Sequence, residues 1–527
     1  MGNDRQGAQK EETVPAIQLP AHGRGEPHTP FRTLVDLWAN AVAAVPGQVA
    51  IEDATGVLTY HEVWSLAQAL AVDLRRRGCA GRGVAILLPN GADFHLAYLG
   101  ALRAGAIPAP INPVYPAPQV AALLGIARAR VVLAPAPVDP ALRDAVAALP
   151  DAELVAFDRA ALVAAPHSSE ELPLPCLDNP GVLLFSGGTT GISKGIVHSH
   201  AAMANAVRAM EYIWSTRATG EVWLPVAPMS HIYGFLMGVL NPVYGAGRIV
   251  VPPRFQPDLI VDMFGRHRVT VFGGGPAPIY AALLAATNFA TTDLSALAVC
   301  PSGGAPTPVE LIERWRRATG LTIHEGYGMT EMAPIAGSNE WIGLKPGSVG
   351  RPLPCNRVEI VDAETGTRVL PPGEAGEIRI AGPYAMTGYL DRPDETARTL
   401  RDGWIHTGDI GHLDADGFLF VTDRKKDMVV VKGFNVFPRV VEEVVLTHPL
   451  VHQAGMVGVK DDRSGERLVA FVAADPELTE AELRDYVAAR VAAYMVPAEF
   501  RLMEELPMTP AAKLDRMRLR RLALEPA

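Results

Sequence analysis

Cysteine is scarce. Only Cys79, Cys176, Cys300 and Cys355 occur in 527 residues, and no CxxC or other ligand spacing joins them. A disulfide frame and a thiolate zinc site are therefore excluded, and the expectation is reduced thiols in a cytoplasmic protein. Positive charge is in deficit as well. The formal net charge is −10, which argues against a basic nucleic-acid-binding face. Long unbroken apolar runs are missing too. The uncharged stretch 104–127 is interrupted by Pro108, Pro110, Pro113, Pro116 and Pro118, a density of proline that no bilayer-spanning helix could hold. Residues 1–30 are polar and charged, without an apolar segment, and read as a flexible lead-in, not a signal peptide.

The rest of the composition is that of an ordinary globular chain, long enough to need at least two domains. Leu34, Leu37, Trp38, Ala41 and Val42 recur at helical spacing. Thr59-Tyr60-His61-Glu62 leads into a helix through about Arg77, and 92–104 reads as another. Apolar runs at 83–88, 107–112 and 131–133 alternate with these helices, the pattern of a parallel sheet with covering helices. Further apolar runs, 269–272, 297–300 and 321–323, are expected to be strands. Each empties into a Gly-containing loop: Gly273-Gly274-Gly275, Pro301-Ser302-Gly303-Gly304-Ala305 and Glu325-Gly326-Tyr327-Gly328-Met329-Thr330-Glu331. In open α/β sheets ligands bind at that end of the strands. From about Val349 short strands and tight turns suggest a β-rich subdomain, with Asp414-Ala415-Asp416-Gly417 a hairpin turn and not a calcium loop. The charged run Asp423-Arg424-Lys425-Lys426-Asp427 marks a boundary. The expected class is α/β: a large N-terminal domain of stacked α/β sheets over 31–424, followed by a small α+β domain over 425–527.

The most informative stretch joins the apolar run Val182–Phe185 to Ser186-Gly187-Gly188-Thr189-Thr190-Gly191-Ile192-Ser193-Lys194-Gly195. Glycine lets backbone N–H groups approach a ligand, hydroxyls donate, and the lysine adds a point charge, which is chemistry for holding phosphate. It is not a Walker A loop. Gly195 follows the lysine where Ser or Thr would be required, and Ile196-Val197-His198 continues as a strand, not a helix.

Five motifs stand in order: this loop, Tyr327-Gly328-Met329-Thr330-Glu331, Thr407-Gly408-Asp409, Asp423–Asp427, and Leu506-Pro507-Met508-Thr509-Pro510-Ala511-Ala512-Lys513. In this the sequence resembles the ANL adenylate-forming superfamily, over nearly the whole chain and most closely its acyl- and aryl-CoA synthetases. The resemblance implies ATP-dependent activation of a carboxylic acid through an acyl-adenylate, then transfer to the CoA thiol, with ATP, Mg²⁺ and CoA consumed or required. It assigns Thr189, Thr190 and Lys194 to the β/γ-phosphates, with Ser186 and Gly187 in the same nucleotide-binding loop. Thr330 falls at the α-phosphate and Glu331 at Mg²⁺. Tyr327 is set against adenine, with Gly303, Gly304 and Ala305 facing it and Glu325 and Gly328 beside it. Asp409 and Arg424 fall on the ribose.

Lys513 is the lysine expected to bridge carboxylate and α-phosphate. By the same resemblance Lys426 falls at the hinge about which a mobile C-terminal domain is expected to rotate, and Lys432-Gly433 in the loop expected to face the thiol channel afterwards. His231 is placed at an acyl-pocket position that gates the thiol, and Tyr233, Met237, Phe272, Gly273, Gly274 and Met332 are candidate pocket walls. His198 and His200 read as structural. Two positions depart from the family pattern: Ser193 replaces a proline and Ala512 a glycine. If that second site requires φ > 0, alanine costs roughly 1 kcal/mol there. The pocket candidates include no ion partner for an amine, so the acid is expected to be apolar: medium-chain, long-chain or aryl. Two alternatives stay open: loading of a separate acyl carrier protein, and a nucleotide-binding module without turnover. Expected partners are the small-molecule acid, ATP and CoA, with no nucleic acid and no integral membrane contact. A homodimer is left open.

Overall fold

The computed structural model describes residues 31–164, 170–186, 193–305, 307–431, 434–461, 465–509 and 514–525. It is a mixed α/β protein with a large N-terminal part and a smaller C-terminal one.

Helix Tyr60–Arg76 begins where the sequence signals it, with a capping box in which the Thr59 side chain accepts from Glu62 N–H while the Glu62 side chain reaches back to the cap. It packs on helix Ala92–Arg103. The first sheet, in the order Ile107–Pro110, Gly83–Ile86, Ala129–Pro135, Glu153–Phe157, is parallel throughout, as the strand–helix alternation predicts. A second sheet sets Val49–Asp53 parallel to Arg248–Val250, which continues through Val222–Pro225 to Val271–Gly273. The β-rich part follows, with Arg357–Val361, Gly376–Ala381, Trp404–Leu413 and Leu419–Arg424 in antiparallel ladders. Asp414–Gly417 is the turn between the last two, held by Asp414 accepting from the backbone N–H groups of Asp416 and Phe418.

Two strands are not where the apolar runs place them. Residues 297–300 make only an isolated bridge, Val299 to Val271, and the strand is Pro301–Gly303. Residues 321–323 likewise precede the strand, which is His324–Met329. The Tyr327 motif is therefore strand and hairpin, not a loop. Glycine is what lets so polar a segment pair. A Cβ on Gly303 would sit 3.1 Å from the Gly326 carbonyl oxygen and 3.2 Å from the Tyr233 ring, and one on Gly328 would stand 2.8 Å from the Cβ of Ala333. The antiparallel partner is Met332–Gly337, joined by the two-residue turn Thr330-Glu331.

At Arg424 the chain leaves the β-rich sheet, makes the short turn Lys425–Asp427 and enters a new sheet at Val429–Val431. That sheet runs Phe434–Val436, Val429–Val431, Gly465–Ala474, Val451–Asp461, with Glu499–Met503 parallel to Gly465–Ala474. Helices Pro438–Leu446 and Glu480–Ala488 cover one face, burying Val441, Val445, Leu483 and Val487 against Met456 and Phe500. A bidentate pair, Arg516 Nη1 and Nη2 at 2.8 and 2.9 Å from the two oxygens of the buried Glu442, ties the C-terminal helix to this unit.

Candidate active site

The turn Thr330-Glu331 divides the site into two ends. At the first, Tyr327 projects from strand His324–Met329 and its hydroxyl donates to Asp409 Oδ2 at 2.5 Å. Asp409 sits in strand Trp404–Leu413 opposite Arg424, whose Nε lies 3.4 Å from Oδ1. The preceding Gly408 is at φ +71°, a conformation a side chain rarely adopts. Burial pushes the Asp409 carboxyl above its usual range, and the Arg424 charge is the main influence opposing this. Tyr327 is pushed well up by burial first and by the Asp409 charge second. So Asp409 holds a proton donor on one oxygen and a cation beside the other. Each oxygen still has a second lone pair, enough to accept a vicinal diol.

At the second end, Glu331 is buried, and Tyr389 donates its hydroxyl to Oε1 at 2.7 Å. The ring of that same tyrosine carries the Lys194 ammonium 4.5 Å above its centre, and Lys194 Nζ meets Glu395 Oε2 at 2.6 Å. Arg392 reaches the other oxygen of Glu395 at 2.5 Å. These residues come together because Gly388–Tyr389 adds as a strand to Gly195–Ser199, with Gly388 opposite Val197. Ser186 and Lys194 are joined across the two ends of the Gly/Ser/Thr segment, Ser186 N–H donating to the Lys194 carbonyl at 3.2 Å and Lys194 N–H to Ser186 Oγ at 3.3 Å. Gly187, Thr189 and Thr190 lie outside the described residues, as do Lys432, Gly433, Ala512 and Lys513.

His198 proves to be the buckle of the turn. Its Nε2–H donates to the Thr330 carbonyl at 2.7 Å. Burial pushes its pKa down to about 4, so the ring is neutral near pH 7. Glu325 belongs to neither end. Its carboxylate accepts from Thr307 N–H at 3.0 Å, tying Thr307 to the strand that carries Tyr327. Burial raises its pKa to about 7 against the pull of that N–H and of Arg439. Lys426, the expected hinge, is exposed on the turn Lys425–Asp427. Desolvation pulls its pKa down, opposed by Asp427 and Asp409.

On the acyl side His231 caps the short helix Ile232–Phe235, its Nδ1 accepting from Tyr233 N–H at 3.3 Å. Tyr233 donates to the Pro301 carbonyl at 3.0 Å and lays its ring against Gly303. Met237 follows in a π-helical turn, Leu236–Leu240, a distortion that often marks a functional site. Gly273 backs onto this turn and Pro225. Gly274 faces Phe272 and Tyr280, and Met332 is buried beside Gly382. Phe272 is itself a core residue. Its ring makes edge contacts with Phe264 and Tyr280 at 5.0 and 5.4 Å, inside the core beneath helices Pro257–Arg266 and Ala277–Leu284.

Tyr389, Glu395 and Thr307 carry no sequence signal that reasoning from spacing could use. They reach the site through strand pairing and hairpin geometry.

A parallel α/β core with a small C-terminal α+β unit, carrying these ordered motifs, defines the class as adenylate-forming enzymes. The chain belongs to the AMP-binding enzyme family of the ANL superfamily and is an AMP-forming acid–thiol ligase: the AMP-binding enzyme family matches residues 38–390 and its C-terminal domain family residues 440–513. It is 32% identical over 535 residues to the long-chain-fatty-acid–CoA ligase of Bacillus subtilis, covering 93% of this chain and 94% of that one. It is 33% identical to a feruloyl-CoA synthase from an Amycolatopsis species, covering 90% of this chain and 96% of that one. Among solved structures, ATP-bound MatB from Rhodopseudomonas palustris superimposes with a TM-score of 0.86 at 27% identity, over 93% of this chain and 98% of that one. The anthranilate CoA ligase AuaEII in complex with anthranoyl-AMP has the same TM-score at 26% identity, over 93% and 97%.

Proposed function

We propose that this ligase activates an apolar carboxylic acid, a medium- or long-chain fatty acid or an aryl acid, and transfers it to CoA. One observation carries the reading: two buried carboxylates, each bonded to a tyrosine hydroxyl, flank one hairpin, Asp409 at the ribose end and Glu331 at the phosphate end. In the first half-reaction a carboxylate oxygen of the acid attacks the α-phosphorus of ATP. The bond to the β-phosphate oxygen breaks and pyrophosphate leaves. In the second, the CoA thiol gives up its proton, sulfur bonds to the acyl carbon, and AMP departs. Both partners of the first step are anions, so positioning and cationic screening supply the rate. Lys194 holds the phosphates that leave, Lys513 screens the bond that forms, and Asp409 with Arg424 fixes the ribose.

Among the described residues no group of three or more His, Cys, Asp and Glu side chains is placed to hold a metal ion. Glu331, a single buried hard-oxygen donor, fits a Mg²⁺ ion that takes most of its ligands from nucleotide and water. Such an ion screens the phosphate charge when bound. The apolar-acid reading is supported by Tyr233, Met237, Gly273, Gly274 and Met332, none of which is charged, and by relatives named for long-chain fatty and aryl acids. The hinge is set at the turn Lys425–Asp427, where one sheet ends and another begins, dividing 31–424 from 425–527. Four free cysteines, one of them exposed, accord with the cytoplasm, and no helix among the described residues is long and apolar enough to cross a membrane.

Acid-panel turnover with CoA, read by mass spectrometry, tests the function. Thioesters of apolar acids are expected. Acid-dependent pyrophosphate exchange without any CoA thioester would move the acceptor to a carrier protein, and no exchange with any acid would leave a binding module. Lys513→Ala is expected to cut adenylation by on the order of 10²–10³-fold and to leave thioester formation from a supplied acyl-adenylate nearly intact. Equal loss in both half-reactions would remove Lys513 from its role.

A further inference from the structure

The lysine that should meet the phosphates of ATP already has an anion. Lys194 Nζ is 2.6 Å from Glu395 Oε2, with side-chain exposures of 30% and 25%. The ammonium also rests on the Tyr389 ring, 4.5 Å from its centre. Glu395 is held in turn by Arg392 at 2.5 Å and stands on the short helix Pro393–Thr399. That helix is fastened to the site independently of the lysine. Tyr389 N–H donates to Thr396 Oγ1 at 2.9 Å, and Thr396 Oγ1–H donates to the Arg392 carbonyl at 2.9 Å. The carboxylate is thus part of the scaffold, and the lysine is the member of the pair with a long flexible stem.

We propose that Glu395 is a built-in stand-in for the terminal phosphates: it holds Lys194 in register on Tyr389 while the site is empty and competes with ATP and pyrophosphate for the ammonium. The proposal rests on Lys194 being a phosphate ligand. Its chemistry is anion exchange on one cation. When a phosphate enters, Lys194 trades a carboxylate for a dianionic oxygen cluster, and Glu395 keeps Arg392 as its counter-ion. When pyrophosphate forms, the returning carboxylate shortens its stay. Glu395 is a positioning residue in this scheme, acting on substrate and product only through Lys194. Its effect falls on ligands that carry a β-phosphate. AMP, which has none, is indifferent to it.

The test is calorimetric binding of ATP, inorganic pyrophosphate and AMP to the full chain as wild type, Glu395→Gln, Lys194→Gln and the double variant. Partly exposed ion pairs contribute about 0.2–1 kcal/mol. Glu395→Gln is therefore expected to bind ATP and pyrophosphate roughly 1.4- to 5-fold more tightly and AMP as the wild type does. Lys194→Gln is expected to weaken the first two ligands, and adding Glu395→Gln to it to change nothing further. Unchanged or weaker pyrophosphate binding in Glu395→Gln, with Lys194→Gln still weakening it, would overturn the stand-in role alone. A parallel loss of AMP affinity in Glu395→Gln would show a merely structural part and overturn it too. If Lys194→Gln left ATP and pyrophosphate binding intact, the phosphate-ligand reading itself would fall.

Discussion

The two ends of the site, proposed above to take the ribose and the phosphates, are built from the same part and finished differently. Each has a buried carboxylate accepting from a tyrosine hydroxyl that comes from a distant strand: Asp409 with Tyr327, Glu331 with Tyr389. At the ribose end the nearby cation, Arg424, is half exposed, and its Nε stands at 3.4 Å, the long side of a hydrogen bond. At the phosphate end the cation, Lys194, is engaged by Glu395 at 2.6 Å. A neutral, diol-bearing group needs acceptors held ready, and the ribose end supplies them without rearrangement. A polyphosphate needs a cation that can let go again, and the phosphate end supplies one whose charge is already countered. One end is preorganised for retention, the other for exchange.

Three substitutions sharpen or break that contrast. The largest effect is expected from Glu331→Gln. It should lower the adenylation rate by on the order of 10²–10³-fold while AMP affinity stays near that of the wild type, measured by pyrophosphate exchange and by AMP binding. If AMP affinity fell in step with the rate, the two ends would not be separable.

The second substitution concerns a buried carboxylate with no tyrosine. Glu325 titrates at about 7 in the fold against an ordinary value of 4.5 because burial disfavours its charge. The folded protein therefore binds more protons than the unfolded chain between those values, and stability falls as pH rises from about 4.5 to about 7. The loss is on the order of 3 kcal/mol. Glu325→Gln should raise the melting temperature at about pH 8 and leave it unchanged at about pH 4.5. An equal shift at both would mean that packing, not charge, sets the effect.

The smallest of the three is Asp409→Asn. Replacing a charged acceptor is worth about 1.5–3 kcal/mol, or roughly 10- to 100-fold in affinity. ATP and AMP should suffer alike, because both carry the ribose. A selective loss of ATP would place Asp409 at the phosphate end.

How legible this was depends on distance along the chain. Helix Tyr60–Arg76 announces itself by Thr59 and Glu62, three residues apart, and the parallel sheet by local alternation. Asp409, Glu331 and Lys194 stand out because each lies inside a short motif. The strands Pro301–Gly303 and His324–Met329 were misplaced because pairing there is licensed by glycine, not by apolar residues, so hydrophobicity points to the segments just before them. Phe272 reads as a pocket wall from its place before Gly273, but alternate residues of a strand face opposite ways, and its ring falls on the helix side. Tyr389 and Glu395 are invisible for a different reason: only the pairing of Gly388 with Val197 brings them to Lys194.

That pairing also sets a schedule for the nascent chain. Strand Gly195–Ser199 finds one neighbour, Pro180–Phe185, immediately before it, but the other arrives about 190 residues later. At roughly 5–20 residues per second, the ribosome leaves that edge, with the apolar Ile196 beside it, unpaired for roughly 10–40 s. During that interval the strand is a template for any stray segment. The phosphate end thus closes late, ahead only of the strands that carry Asp409 and Arg424, and a pause in synthesis before Gly388 would prolong the exposure of that edge.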